Sequence, residues 1–90
     1  METRATINKE VNITAWTFRP GRTALTSLPK RMEYNRQEYT FAEGLRYLVQ
    51  KGRAVVQLFD MTDGSNNYRL KFDPSQEIWT LVSITGSRAI

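Results

Sequence analysis

The chain has 90 residues, 40% of them hydrophobic, 11% aromatic and 24% charged, with a net charge of +4 and neither histidine nor cysteine. That suits one globular domain with one modest core. It excludes disulfides, zinc ribbons and iron–sulfur centres, and removes both the side chain that titrates near neutral pH and the strongest neutral-pH nucleophile.

Residues 1–9 lack periodicity and read as a flexible N-terminus. They also lack the apolar segment of a secretory signal. The first strand is expected at 11–18, VNITAWTF, where Val11, Ile13 and Ala15 alternate with Asn12, Thr14 and Trp16. Arg19-Pro20-Gly21 ends it, because a Pro-Gly pair turns the chain. A short extended piece at 24–28 stops at Pro29.

Met32-Glu33-Tyr34 and Gln37-Glu38-Tyr39 flank Asn35-Arg36 as a β-hairpin. Asparagine tolerates the left-handed backbone that a tight hairpin loop needs, and arginine does so less readily. Thr40 and Glu43 then form a T-x-x-E capping box. Phe41, Leu45, Leu48 and Val49 make one apolar stripe at helical spacing, Lys51 suits the negative end of the dipole, and Gly52 suits a left-handed C-terminal cap. The pattern predicts a helix over 40–51.

Three strands follow. The first, 54–61 (AVVQLFDM), is apolar on both faces. The second alternates Tyr68, Leu70 and Phe72 with Arg69 and Lys71. The third is 77–84 (EIWTLVSI). Asp63-Gly64 and Asp73-Pro74 mark the turns, and loops this short force an antiparallel meander. Residues 85–90 read as a flexible polar tail. The expected fold is a single α+β domain at 10–84: a twisted antiparallel sheet in the order strand, hairpin, helix, meander, with the helix packed on it. A small, partly open β-barrel plugged by the helix is the alternative.

Charge is unevenly spread. Residues 19–53 hold eight cations (Arg19, Arg22, Lys30, Arg31, Arg36, Arg46, Lys51, Arg53) against Glu33, Glu38 and Glu43, and arginine outnumbers lysine nine to four overall. Such a stretch favours a polyanion, either nucleic acid or an acidic protein surface. Trp16 and Phe18 leave the same side of their strand, with Arg19 and Arg22 immediately after. Aromatics on a sheet among cations can stack bases and neutralise phosphates. The candidate nucleic-acid contacts are therefore Trp16, Phe18, Arg19, Arg22, Lys30, Arg31, Arg36, Arg69 and Lys71.

Other constellations are weaker. Glu33 and Glu38 oppose one another in the hairpin register, but a hairpin tip is convex where catalysis needs a cleft. Asp60, Asp63 and Asp73 with Asn66 and Asn67 lack the ligand spacing of a calcium loop and read as turn residues. The serines have no histidine partner. Arg46, Tyr47, Gln50 and Lys51 lie off the apolar stripe as a protein-contact face. No enzyme, metal, cofactor or membrane span is expected, and the expected location is the cytoplasm. The leading expectation is a nucleic-acid-binding domain. The alternative is a small protein–protein adaptor or assembly subunit, pairing through edge strands at 11–18 or 77–84, including with a second copy.

Overall fold

A computed structural model describes residues 2–20 and 25–87. Seven strands form one antiparallel sheet: β1 (Glu2–Pro20), β2 (Leu25–Tyr34), β3 (Gln37–Thr40), β4 (Glu43–Lys51), β5 (Ala54–Thr62), β6 (Asn66–Asp73) and β7 (Ile78–Ser87). Their spatial order is β3-β2-β1-β7-β6-β5-β4. The chain is thus all-β, and no helix occurs among the described residues, which corrects the expected α+β architecture and its helix-plugged alternative.

The local pairings expected of the hairpin and the meander are present. Asn35 and Arg36 both take positive φ, 54° and 65°, so arginine does enter the left-handed region and the β2–β3 loop has two residues. The meander is β5, β6 and β7, paired in sequence. Within β6, Tyr68 and Leu70 are buried with Phe72 packed beside them, and Arg69 and Lys71 point the other way.

The segment expected to be helical is β4. It forms nine consecutive pairs with β5, from Glu43↔Thr62 to Lys51↔Ala54. Residues 45, 47 and 49 (Leu, Tyr, Val) carry a period of two as well as overlapping the helical stripe, and the long-range ladder decides between the two periods. Gly52, with φ of 60°, supplies the left-handed residue of a two-residue hairpin turn instead of a helix cap.

The ends of the sheet also differ from expectation. Glu2 to Lys9 belong to β1 and pair with β7, with a register shift between Thr6 and Lys9 where Asn8 has a φ of 53°. Ser87, expected in the tail, ends β7. The extended piece before Pro29 merges with the hairpin strand into β2. Pro29 sits where the β1–β2 ladder is interrupted by register shifts between Ile13 and Trp16, a place where a strand tolerates a residue lacking an N–H. β1 and β7 lie inside the sheet order, so the strands expected to offer pairing edges are not the outermost ones; β3 and β4 are.

The first half of β1 pairs with β7 and the second half, from Asn12, with β2. This strand therefore passes from a five-strand limb (β1-β7-β6-β5-β4) into a three-strand limb (β1-β2-β3), a corner made by a bulged strand. The limbs are closed on each other by the link between β3 and β4, which is only Phe41 and Ala42. In a flat sheet, β3 and β4 would lie about 29 Å apart, roughly six spacings of about 4.8 Å. Two linking residues reach at most about 11 Å. The sheet must therefore curl until its outermost strands approach, as a partly open barrel.

The link is tied on both sides. Phe41 N–H donates to the Lys30 carbonyl at 2.8 Å, and Ala42 N–H donates to the Thr62 carbonyl at 2.7 Å. The Lys30 ammonium donates to the Phe41 carbonyl at 3.1 Å. The Phe41 ring turns into the core, 1% exposed, among Val11, Leu28, Met32, Phe59, Met61, Tyr68, Leu70 and Leu81. At Gly44 a Cβ would overlap the Met61 thioether and come within 2.7 Å of the Asp60 carbonyl oxygen, so β4 approaches β5 there as only glycine allows.

Phe41→Ala should cost about 3–5 kcal/mol, through lost burial and the cavity left behind. Urea denaturation checks this: the midpoint should fall with little change in slope.

Candidate nucleic-acid interface

In the three-strand limb, β1 turns Ile13 and Thr17 toward Met32 and Leu28, their partners on β2. Trp16 and Phe18, the partners of Pro29 and Ser27, therefore leave β1 on the side opposite Thr17; the register shifts around Ala15 break the alternation before Trp16, whose partner Pro29 is buried. Trp16 is 43% exposed and Phe18 63% exposed. Trp16 meets Trp79 edge-on at 5.4 Å. Trp79 in turn packs on Phe59 and Phe72, each at 4.9 Å between ring centroids. Trp16 is thus anchored along one edge and open on the rest, whereas Phe18 is open to solvent.

The candidate cations fall into separate places. Arg31 leaves β2 on the side away from Met32, opposite Ala15, with a register shift separating that pair from Trp16. Arg36 stands exposed in the β2–β3 turn. Lys30 is half-buried and committed to the Phe41 carbonyl, which makes it part of the closure. Arg22 lies outside the described residues. Arg69 and Lys71 stand on the outer side of β6, in the five-strand limb.

Arg19 connects the two limbs. A cavity of about 650 Å³ brings it together with Arg4 and Arg69, along with Glu43, Asp60 and Asn67. Composition alone does not single out Arg4. Its place follows from the strand state of 2–9, which sets Arg4 opposite Thr85 and Thr85 opposite Asn67 in one cross-strand row.

Arg69 holds Asp60 in a two-pronged contact, Nε to Oδ1 at 2.8 Å and Nη2 to Oδ2 at 2.9 Å. Hydrogen bonding to this carboxylate, reinforced by its charge, raises the guanidinium's pKa above its ordinary value. Both side chains remain partly exposed, so the pair contributes under about 1 kcal/mol to stability. It is the one ion pair within 4.0 Å among the residues whose side chains are described, which leaves Arg19, Arg31, Arg36 and Lys71 without a carboxylate partner among them.

Among the described residues the acidic side chains form no cluster of three or more. Asp63 caps its own turn, accepting from the N–H groups of Ser65 at 2.8 Å and Asn66 at 2.7 Å. Tyr68 donates its hydroxyl to the other Asp63 oxygen at 2.8 Å. Burial pulls the Asp63 carboxyl upward, but these donors outweigh it and hold its pKa below the usual carboxylate value. Burial, then the hydrogen bond to Asp63, pushes the Tyr68 phenol up to about 12. Asp73 accepts from the Ser75 hydroxyl at 2.7 Å and the Ser75 N–H at 2.9 Å, which lowers its pKa. Glu33 and Glu38 are directly paired, as their hairpin register requires, and both are exposed. The expected contact face of Arg46, Tyr47, Gln50 and Lys51 is divided, because a strand sends Arg46 and Gln50 to one side and Tyr47 and Lys51 to the other.

No protein-family model matches the chain, and neither a curated protein nor a solved structure matches it.

A carboxyl whose pKa is lowered by folding stabilises at neutral pH, and that stability fades as pH falls through the acid range. Tyr68→Phe keeps the ring but loses the donor to Asp63. It should cost about 1.5–3 kcal/mol at neutral pH, as for a hydrogen bond to a charged group. The deficit should shrink as pH drops below about 4, where an ordinary aspartate gains its proton. Denaturation of both proteins across this range measures it.

Proposed function

We propose that this is a non-enzymatic binding domain whose ligand is nucleic acid. The carrying observation is the exposure of Trp16 and Phe18 on one side of β1, in a limb where Arg19, Arg31 and Arg36 form no ion pair among the described residues. Solvent-facing aromatics offer planar surfaces to unstacked bases, and guanidinium groups beside them meet the phosphates. Arg19 sits one residue from Phe18, and Arg31 pairs with Ala15, one residue before Trp16. The cavity holding Arg4, Arg19 and Arg69 extends the positive path toward the five-strand limb. The reading uses bases splayed out of a duplex, so it favours single strands over double strands.

Fluorescence anisotropy with a labelled single-stranded oligonucleotide and its duplex, at about 50 and 200 mM salt, tests the proposal. Binding should weaken steeply with salt, and Phe18→Ala should lower affinity by roughly 5–150-fold, the equivalent of one lost stack. Arg19→Gln should reduce the salt slope by about 0.7 for a single strand. Absence of binding at the lower salt overturns the reading. So does binding that Phe18→Ala leaves unchanged.

A further inference from the structure

β4 pairs with β5 on one side and is hydrogen-bonded to no strand on the other among the described residues, although β2 approaches its start. The β4–β5 hairpin also exposes large apolar side chains on both faces: Leu45 at 61% and Tyr47 at 43% on one, Leu48 at 62% and Val55 at 45% on the other. A long regular edge with apolar side chains invites strand pairing, and its nine-pair ladder has no bulge to discourage it.

The phase of the ladder fixes what that edge offers. Lys51 and Ala54 close a two-residue turn and so form a hydrogen-bonded pair. Alternation then directs the backbone groups of residues 43, 45, 47, 49 and 51 to β5 and those of Gly44, Arg46, Leu48 and Gln50 outward. Antiparallel pairing of this edge with its own copy needs hydrogen-bonded pairs drawn from these four residues, so the two-fold axis falls near Arg46, Tyr47 or Leu48. An axis at Arg46 sets arginine against arginine. One at Leu48 sets Leu45 against Lys51. Only the axis at Tyr47 places Glu43 of each copy opposite Lys51 of the other, with Leu45 opposite Val49 and Tyr47 opposite its own copy. One face then shows a continuous apolar centre flanked by opposite charges, the arrangement that stabilises cross-strand pairs.

We propose that two copies of this chain pair through β4, antiparallel about a two-fold axis at Tyr47, joining their sheets. About eight backbone hydrogen bonds form, from Gly44 with Gln50 and Arg46 with Leu48, each pairing occurring twice. A cavity of about 390 Å³ lies between β2 and the start of β4, with Thr26, Leu28, Gly44 and Arg46 in its lining. It lies at the end of β4 where the second copy's hairpin tip arrives. Nine residues a side make an interface smaller than the usual ~800 Å² per partner, so the dimer is concentration-dependent rather than permanent. The proposal is independent of nucleic-acid binding and survives its failure.

Sedimentation equilibrium over a concentration series tests it. The unaltered chain should show a monomer–dimer equilibrium. Glu43→Lys and Lys51→Glu should each weaken it roughly tenfold, since like charges then face each other at both ends. An equimolar mixture of these two variants should regain dimer, because every lysine at the two ends, native or introduced, then faces a glutamate of the other copy. That recovery also shows that both variants fold. As a second readout, Tyr47→Cys introduces the sole thiol, and the axis brings its two copies to about 4.5 Å between Cα atoms, within disulfide range. It should oxidise to a covalent dimer faster than Arg53→Cys. A chain that stays monomeric at its highest soluble concentration overturns the proposal, as does a variant mixture that associates no better than either variant alone.

Discussion

Two residues join strands that stand at opposite ends of the sheet order, and most of the architecture follows from that short tether. Because Phe41 and Ala42 cannot cross an open sheet, the limbs must fold toward each other, and a single curved sheet encloses the core by itself. The tether supplies its own filling, since the Phe41 ring occupies the interior while its backbone is bound to β2 and Ala42 is bound to β5. Gly44 belongs to the same constraint: just beyond the tether, β4 must lie against Met61 more closely than a Cβ permits.

Closure also sorts the charges. Lys30 is drawn into the tether and Arg69 into Asp60, so the cationic surplus counted in the sequence has two engaged members. Arg19, Arg31 and Arg36 form no ion pair within 4.0 Å among the described residues. Arg19, at the far end of β1, is the residue through which the aromatic limb and the cavity beside β6 communicate. Trp16 has a dual position, with one edge against the aromatic cluster around Trp79 and the rest toward solvent. A stacking platform needs this combination, since a ring already held in place loses little freedom when a base settles on it.

The parts of the fold legible in the sequence are those governed by neighbouring residues. The β2–β3 hairpin follows from Asn35-Arg36, the meander from its Asp-Gly and Asp-Pro turns, and the side chosen by Arg69 and Lys71 from strict alternation. Residues 40–51 read as a helix because the capping box, the apolar stripe and the terminal glycine all fit one, while Leu45, Tyr47 and Val49 also carry the period of a strand. Gly52 adopts the same left-handed backbone in a helix cap and in a tight hairpin. What separates them is pairing with β5, a tertiary effect that overrides propensity. The same holds for 2–9, whose polar composition suggests fraying and whose strand state depends on β7. Within the candidate site, exposure of Trp16 and Phe18 is undecidable from alternation alone, since either face of β1 could be the covered one. Arg4 escapes a sequence reading because its strand does.

β1 pairs with β7 at Glu2↔Ser87, so residues drawn from opposite ends of the described chain lie side by side. A ladder of that kind cannot be zipped outward from a turn. The intervening strands must first be arranged closely enough to bring both segments together, which makes loop-closure entropy the main kinetic obstacle. Folding of such a topology belongs to the millisecond-to-second regime rather than that of helical bundles. During that interval the β5–β6–β7 meander can assemble by local contacts while β1 remains unpaired, leaving β7 open along the flank that β1 later covers.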